Sequence, residues 1–123
     1  MNQNVMVVGL GLMGSALAKT LLENDYPVAV WNRTSSKTEP LVALGARAAL
    51  SVAEGVHESD TILLCLRNYD DCFAVLDACP SLAGKTVIQL TTASAGQAAQ
   101  MEEWAEKKGA AISMAPSLLI QAE

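Results

Sequence analysis

The sequence predicts an open, doubly wound α/β domain: a mainly parallel sheet with helices packed on both faces. Three observations lead there. Short apolar runs rich in Val and Ile alternate with helix-like segments from end to end. The helix-like segments repeatedly open on a Ser-x-x-Glu or Ser-x-x-Gln signature, which caps the free N–H groups of a first turn. The connections are short, so successive parallel strands must be joined through crossover helices. At 123 residues, 51% apolar and 17% charged, the chain can bury one core without disulfide or metal staples.

The elements follow in order. VMVVG at 5–9 reads as a buried strand, and residues 12–24 as a helix with Leu17, Leu21 and Leu22 on one face. PVAVW at 27–31 is the second strand. Ser36-Lys37-Thr38-Glu39 has the capping-box pattern, with Pro40 tolerated in the first turn and Gly45 as a stop. Residues 46–49 form a short strand, and Ser51-Val52-Ala53-Glu54 repeats the capping signature. TILLCL at 61–66 is a third long strand, followed by a helix-like stretch that holds Cys72 and Cys79. Between them Arg67, Tyr69, Asp70 and Asp71 read as loop residues with no assignable role. KTVIQL at 85–90 is the next strand, and Ser94-Ala95-Gly96-Gln97 opens a helix over 95–108. Lys107 and Lys108 sit against the negative end of that helix dipole, before Gly109. AAISM at 110–114 is a weaker last strand. The domain is thus read as residues 1–113, with 114–123 as an apolar tail.

Composition excludes several classes of partner. A net charge of −5 gives no general basic field for nucleic acid or an anionic membrane, so an anion site must be built locally. No stretch reaches the roughly 18–20 apolar residues of a membrane span. Met1-Asn2-Gln3-Asn4 leads straight into a strand without the basic n-region of a signal peptide, and the expected location, from the cysteines that follow, is the cytoplasm. Cys65, Cys72 and Cys79 are odd in number and lack Cys-x-x-Cys spacing, and are read as reduced thiols in packing positions. His57 is the single histidine and has no metal-ligand neighbours in sequence, so a surface position is expected and no metal site.

Gly9-Leu10-Gly11-Leu12-Met13-Gly14 is a G-x-G-x-x-G pattern. Alone it is weak; here it leaves a strand and opens a helix, the context of a Rossmann-type dinucleotide site. Gly9 permits the tight turn, Gly11 lets a pyrophosphate approach bare backbone, and Gly14 lets the helix pack close to the strand. The helix N-terminus then offers N–H groups and partial positive charge to phosphate. A chain built for NAD carries an acid about 20 residues on, to accept from the ribose 2′-hydroxyl. Here the second strand ends Trp31-Asn32-Arg33-Thr34-Ser35-Ser36-Lys37, with no carboxylate before Glu39. Asn32, Arg33, Thr34 and Lys37 instead suit a 2′-phosphate, so the expected cofactor is NADP(H). Arg33 and Lys37 as ordinary solvated loop charges are the alternative. Two further strand ends should line the same crevice: Cys65-Leu66-Arg67-Asn68-Tyr69-Asp70, and Leu90-Thr91-Thr92-Ala93-Ser94. The hydroxyls of the second are placed for the nicotinamide ribose or a substrate, or for helix capping.

These residues carry a family resemblance. VGLGLMGSALAKTLLENDYPVAVWNRTSSK, followed by GA, CL and LTTAS at matching intervals, resembles the cofactor domain of the β-hydroxyacid dehydrogenases. That family includes 3-hydroxyisobutyrate and 6-phosphogluconate dehydrogenases. GLGLMGSALA, VWNRT and QLTTASAGQAAQMEEWAEKKGA are closer to its imine reductase branch. The resemblance implies an NADPH-dependent reductase that moves hydride from nicotinamide to a C=N or C=O carbon. By position it implies cofactor contacts at Gly9, Leu10, Gly11, Leu12, Met13, Gly14, Asn32, Arg33, Thr34, Lys37, Cys65, Leu66 and Thr91. Thr92 would neighbour the nicotinamide and a small-molecule substrate. Gln89 stands where the hydroxyacid branch has Asp. Family members continue into a helical domain that supplies the proton donor and interlocks two subunits. No catalytic residue is therefore assigned here, and the apolar tail is expected to lead into that domain or to a homodimer contact. A tail folded back on its own domain is the alternative. Two readings of function remain at this point. One is the cofactor domain of an oxidoreductase; the other is a stand-alone NADP(H)-binding or sensor module without turnover.

Overall fold

The computed structural model describes residues 4–66, 69–77, 79, 82–90, 100, 103, 107, 109 and 111–113. Its strands are β1 (Val5–Val8), β2 (Val28–Trp31), β3 (Arg47–Ala48), β4 (Thr61–Leu64), β5 (Thr86–Gln89) and β6 (Ala111–Ser113). Its helices are α1 (Leu12–Glu23), α2 (Glu39–Ala43), α3 (Val52–His57) and α4 (Tyr69–Asp77), with a 3₁₀ turn at Ser35–Thr38 before α2. The strands form a six-stranded sheet in the order β3-β2-β1-β4-β5-β6. Every pairing is parallel, and Val5 of β1 stands opposite both Val28 and Thr61. The chain steps outward from β1 to β3 and then returns to β4 on the other side of β1. Ligands of such sheets bind beyond the carboxyl ends of the strands at that reversal.

Period-two alternation in the strands makes the two faces. Met6 and Val8 pack with Val52 and Val56 of α3 and Cys72 of α4. Val5 and Val7 pack on the other side with Ala18 of α1 and Leu41 of α2, and Leu17, Leu21 and Leu22 close over them. The doubly wound expectation holds. Met6, Ile62 and Leu64 are fully buried; such side chains each contribute about 1.5–3 kcal/mol of hydrophobic stabilisation. A Cβ on Gly55 would lie 2.6 Å from Cε of Met6, so α3 sits tight on β1.

The helix ends confirm one cap and revise another. Ser51 Oγ accepts the Glu54 N–H at 3.1 Å. The Glu54 carboxylate reaches back to accept the Leu50 N–H at 3.2 Å and a proton of Arg47 at 2.8 Å. These bonds, the Arg47 one foremost, hold Glu54 below the ordinary carboxylate range. The expected box at Ser36–Glu39 does not form. Thr38 Oγ1 instead donates to the Ser35 carbonyl at 2.7 Å, and α2 begins only at Glu39 with Pro40 in its first turn. Proline has no N–H to lose and a φ suited to a first turn, which moves the helix start past Ser36. Gly45, at φ +114°, ends α2 as expected.

A second correction concerns Tyr69, Asp70 and Asp71, which open α4 and are not loop residues. Two carboxylates in a first turn favour the positive end of a helix dipole. Cys72 lies in α4, whereas Cys79 follows it. Cys72 and Cys79 are buried and Cys65 is half-buried. His57 is exposed at the end of α3. Gln100, Glu103 and Lys107 are helical, within the stretch 95–108 read as a helix. The Ser94–Gln97 signature, Arg67 and the tail 114–123 lie outside the described residues. Among the described residues, no helix is long and apolar enough to cross a membrane.

Candidate functional site

A cleft of about 560 Å³ opens at the carboxyl end of β1, β2 and β4. The glycine corner forms one wall. Gly9 has φ +96°, a region L-side chains rarely adopt, and a Cβ there would strike the Cys65 carbonyl. A Cβ on Gly14 would collide with the Gly9 carbonyl oxygen. Gly11 differs: a Cβ there meets nothing within 4 Å, because it would point into open space. One glycine is therefore needed to turn the chain, one to seat the helix, and one leaves room at the cleft surface.

The corner is fixed from below. The Gly9 N–H donates to the Trp31 carbonyl at 2.9 Å, and Ser15 Oγ donates to the Leu10 carbonyl at 3.0 Å. Leu10 lines the cleft although its side chain is buried in the core. Gly11 is the N-cap of helix α1, which has no side-chain cap and no acid in its first turn. Its first N–H groups and dipole are thus offered to a ligand. Leu12 and Met13 form an apolar rim, 96% and 50% exposed.

The opposite wall comes from the tip of β2 and from α4. Asn32 accepts the Leu10 N–H through Oδ1 at 2.8 Å and donates from Nδ2 to the Thr34 carbonyl at 3.1 Å. Its amide thereby ties the tip to the glycine corner. Arg33, Thr34 and Lys37 line the cleft and are exposed. Cys65 and Leu66 form part of the cleft lining. Burial, with a smaller contribution from Cys72, pushes the Cys65 thiol up to about 11, so it is a neutral lining group at neutral pH.

The structure brings together Gly9, Leu10, Gly11, Leu12, Met13, Gly14, Asn32, Arg33, Thr34, Lys37, Cys65 and Leu66 around this one cleft. Thr91 and Thr92 lie outside the described residues. Three lining residues escaped the sequence reading: Trp31, Asp71 and Val75. Asp71 and Val75 are four apart on α4, and the helical period is the signal that would have put both on one face. Asp71 Oδ1 lies 3.5 Å from Nη2 of Arg33. Gln89, at the end of β5, is fully buried and takes a long hydrogen bond of 3.7 Å from the Cys72 thiol. No cluster of three or more metal-ligating side chains occurs among the described residues.

A glycine corner, an uncapped helix start and a cationic strand tip at the reversal of a 3-2-1-4-5-6 sheet define a Rossmann-type dinucleotide-binding domain. Residues 4–117 match the family of the NAD binding domain of 6-phosphogluconate dehydrogenase, and the chain belongs to that family. An NADPH-dependent reductive aminase of Aspergillus oryzae is 40% identical over 113 residues, 89% of this chain and 38% of that protein. Glyoxylate/succinic semialdehyde reductase 1 of Arabidopsis thaliana is 36% identical over 109 residues, 83% of this chain and 37% of that protein. A reductive aminase from Aspergillus terreus, solved with NADPH and ethyl-5-oxohexanoate, superposes with a TM-score of 0.86 at 34% identity. That superposition covers 91% of this chain and 39% of the other. The chain spans less than two-fifths of the length of each of these relatives.

Proposed function

We propose that this chain binds NADP(H) and is the cofactor domain of an oxidoreductase acting on a C=N or C=O carbon, in the cytoplasm. One observation carries the reading. The uncapped start of α1 is tied through Asn32 to a strand tip that bears Arg33 and Lys37 and no carboxylate. The residues suit the group: backbone N–H groups for the diphosphate, open space beside Gly11 for its approach, and two cations for a 2′-phosphate. The cofactor, when bound, supplies the hydride. The chain's part is to hold the two phosphate regions at a fixed separation, and Leu12, Met13 and Leu66 give the cleft an apolar border.

Two relatives that each match more than four-fifths of this chain, an NADPH-dependent reductive aminase and a glyoxylate/succinic semialdehyde reductase, support the oxidoreductase over a sensor without turnover. In this reading the apolar segment 114–123 leads into a helical domain. The substrate, the proton donor and any homodimer contact belong to that domain, and the family resemblance makes Thr91 a cofactor contact and Thr92 a neighbour of the nicotinamide and substrate. Calorimetric titration tests the cofactor assignment. Arg33→Asp is expected to weaken NADPH binding at least about tenfold while changing NADH little, because a carboxylate at the tip repels the extra phosphate. An equal loss for both cofactors would contradict it.

A further inference from the structure

The Arg33–Asp71 contact is the one ion pair among the described residues that spans the cleft, from the tip after β2 to the first turn of α4. Its two ends are unequal. The Arg33 side chain is 71% exposed and makes the contact through a single nitrogen, whereas Asp71 is 18% exposed and rooted in a helix. The cation is therefore the mobile partner and keeps other N–H donors in reserve. An exposed single-contact pair is weak. A phosphate monoester carries more charge than a carboxylate and offers three acceptor oxygens in a geometry that suits a guanidinium fork.

Resting on the NADP(H) reading above, we propose that Asp71 is a specificity-determining residue whose carboxylate competes with the 2′-phosphate for the Arg33 guanidinium. Uptake of a 2′-phosphorylated nucleotide exchanges one anion for another on the same cation. A nucleotide with a bare 2′-hydroxyl leaves the Arg33–Asp71 pair in place. Asp71 thus subtracts from the phosphate's advantage and sets how far the domain favours the phosphorylated cofactor.

The test is calorimetric titration of the 123-residue chain with adenosine 2′,5′-bisphosphate and with adenosine 5′-phosphate. Wild type, Asp71→Asn, Asp71→Ala and the neighbouring control Asp70→Asn are compared, each checked for an unchanged thermal melt. Both Asp71 variants are expected to bind the bisphosphate about three- to fivefold more tightly, with the monophosphate unmoved. The gain should shrink at high salt and vanish in an Arg33→Gln background. An equal gain in Asp70→Asn would reduce the effect to bulk charge and overturn the proposal. So would weaker bisphosphate binding in the Asp71 variants, which would mean that Asp71 holds Arg33 ready for phosphate. Wild-type binding of the bisphosphate with no gain in either Asp71 variant overturns this proposal alone. Failure of the wild type to bind either nucleotide overturns the cofactor reading as well.

Discussion

The side-chain oxygen of Asn32 accepts the backbone N–H of Leu10 at 2.8 Å, a bond across 22 residues that joins the end of β2 to the turn after β1. Its amide nitrogen donates to Thr34, so both ends of the side chain hold backbone. Asn32→Ala should cost about 1–2 kcal/mol in urea denaturation, since it strands the Leu10 N–H in a half-buried place. Asn32→Asp keeps an acceptor for Leu10 but sets a carboxylate oxygen against the Thr34 carbonyl. It should therefore be less destabilising than Ala, yet should tilt cofactor binding toward NADH. A stable Asn32→Ala protein with unchanged melting would remove the tie from the account.

Gly11 and Gly14 should respond oppositely to the same added methyl group. In Gly14→Ala the new Cβ meets the Gly9 carbonyl and the chain must move, at a cost of about 3 kcal/mol or more. In Gly11→Ala it meets nothing within 4 Å, so stability should change by less than about 1 kcal/mol. The loss there should appear in NADPH affinity, at least about tenfold, because the methyl group occupies the approach of the diphosphate. Paired thermal melts and titrations separate the two positions. Loss of stability in both would mean that Gly11 serves the turn alone.

Asp25 has φ +64° just past the end of α1, where the Tyr26 N–H donates to the Leu21 carbonyl and the Asp25 N–H to that of Leu22. This left-handed position after a helix is one that glycine occupies without strain. Asp25→Gly should raise unfolding free energy by roughly 0.5–1 kcal/mol, and denaturant midpoints would show it. A fall in the midpoint would mean that the Asp25 side chain does more for the turn than the strain costs.

The Cys65 thiol, raised from 9.0 to about 11, sets a pH dependence of known sign. A group whose pKa is higher in the folded state stabilises the fold below its unfolded value. That contribution fades as the pH rises through the folded one, here between pH 9 and about 11. Wild type should therefore lose more melting temperature than Cys65→Ala across that window. Below pH 8 the thiol should alkylate slowly, since little thiolate forms. Parallel alkaline slopes for the two proteins would rule this out.

What the sequence made legible was whatever is encoded within a few residues. β1, the glycine corner and α1 occupy one continuous stretch, and each glycine's part follows from local sterics. The cap at Ser51 and the stop at Gly45 were readable for the same reason. The failed cap at Ser36 shows the limit: the same four-residue pattern yielded to Pro40, and the cap of α2 stands two residues later, at Thr38. Residues brought together by strand order were harder. Arg33 and Asp71 lie far apart in the chain and meet because β2 and β4 flank β1, a fact of topology with no trace in either local segment. Asn32 was read as a ligand contact from its place in the tip. That its amide binds Leu10 and Thr34 could be seen only with the corner folded.

The position of β1 between β2 and β4 also sets an order of events during synthesis. β1 can join β2 as soon as residue 31 emerges, but its other edge waits for residue 64. At ordinary elongation rates that interval lasts about 2–7 s. Through it the nascent polypeptide carries a bare, all-aliphatic strand border beside the ribosome, a template for mispairing until the fourth strand arrives.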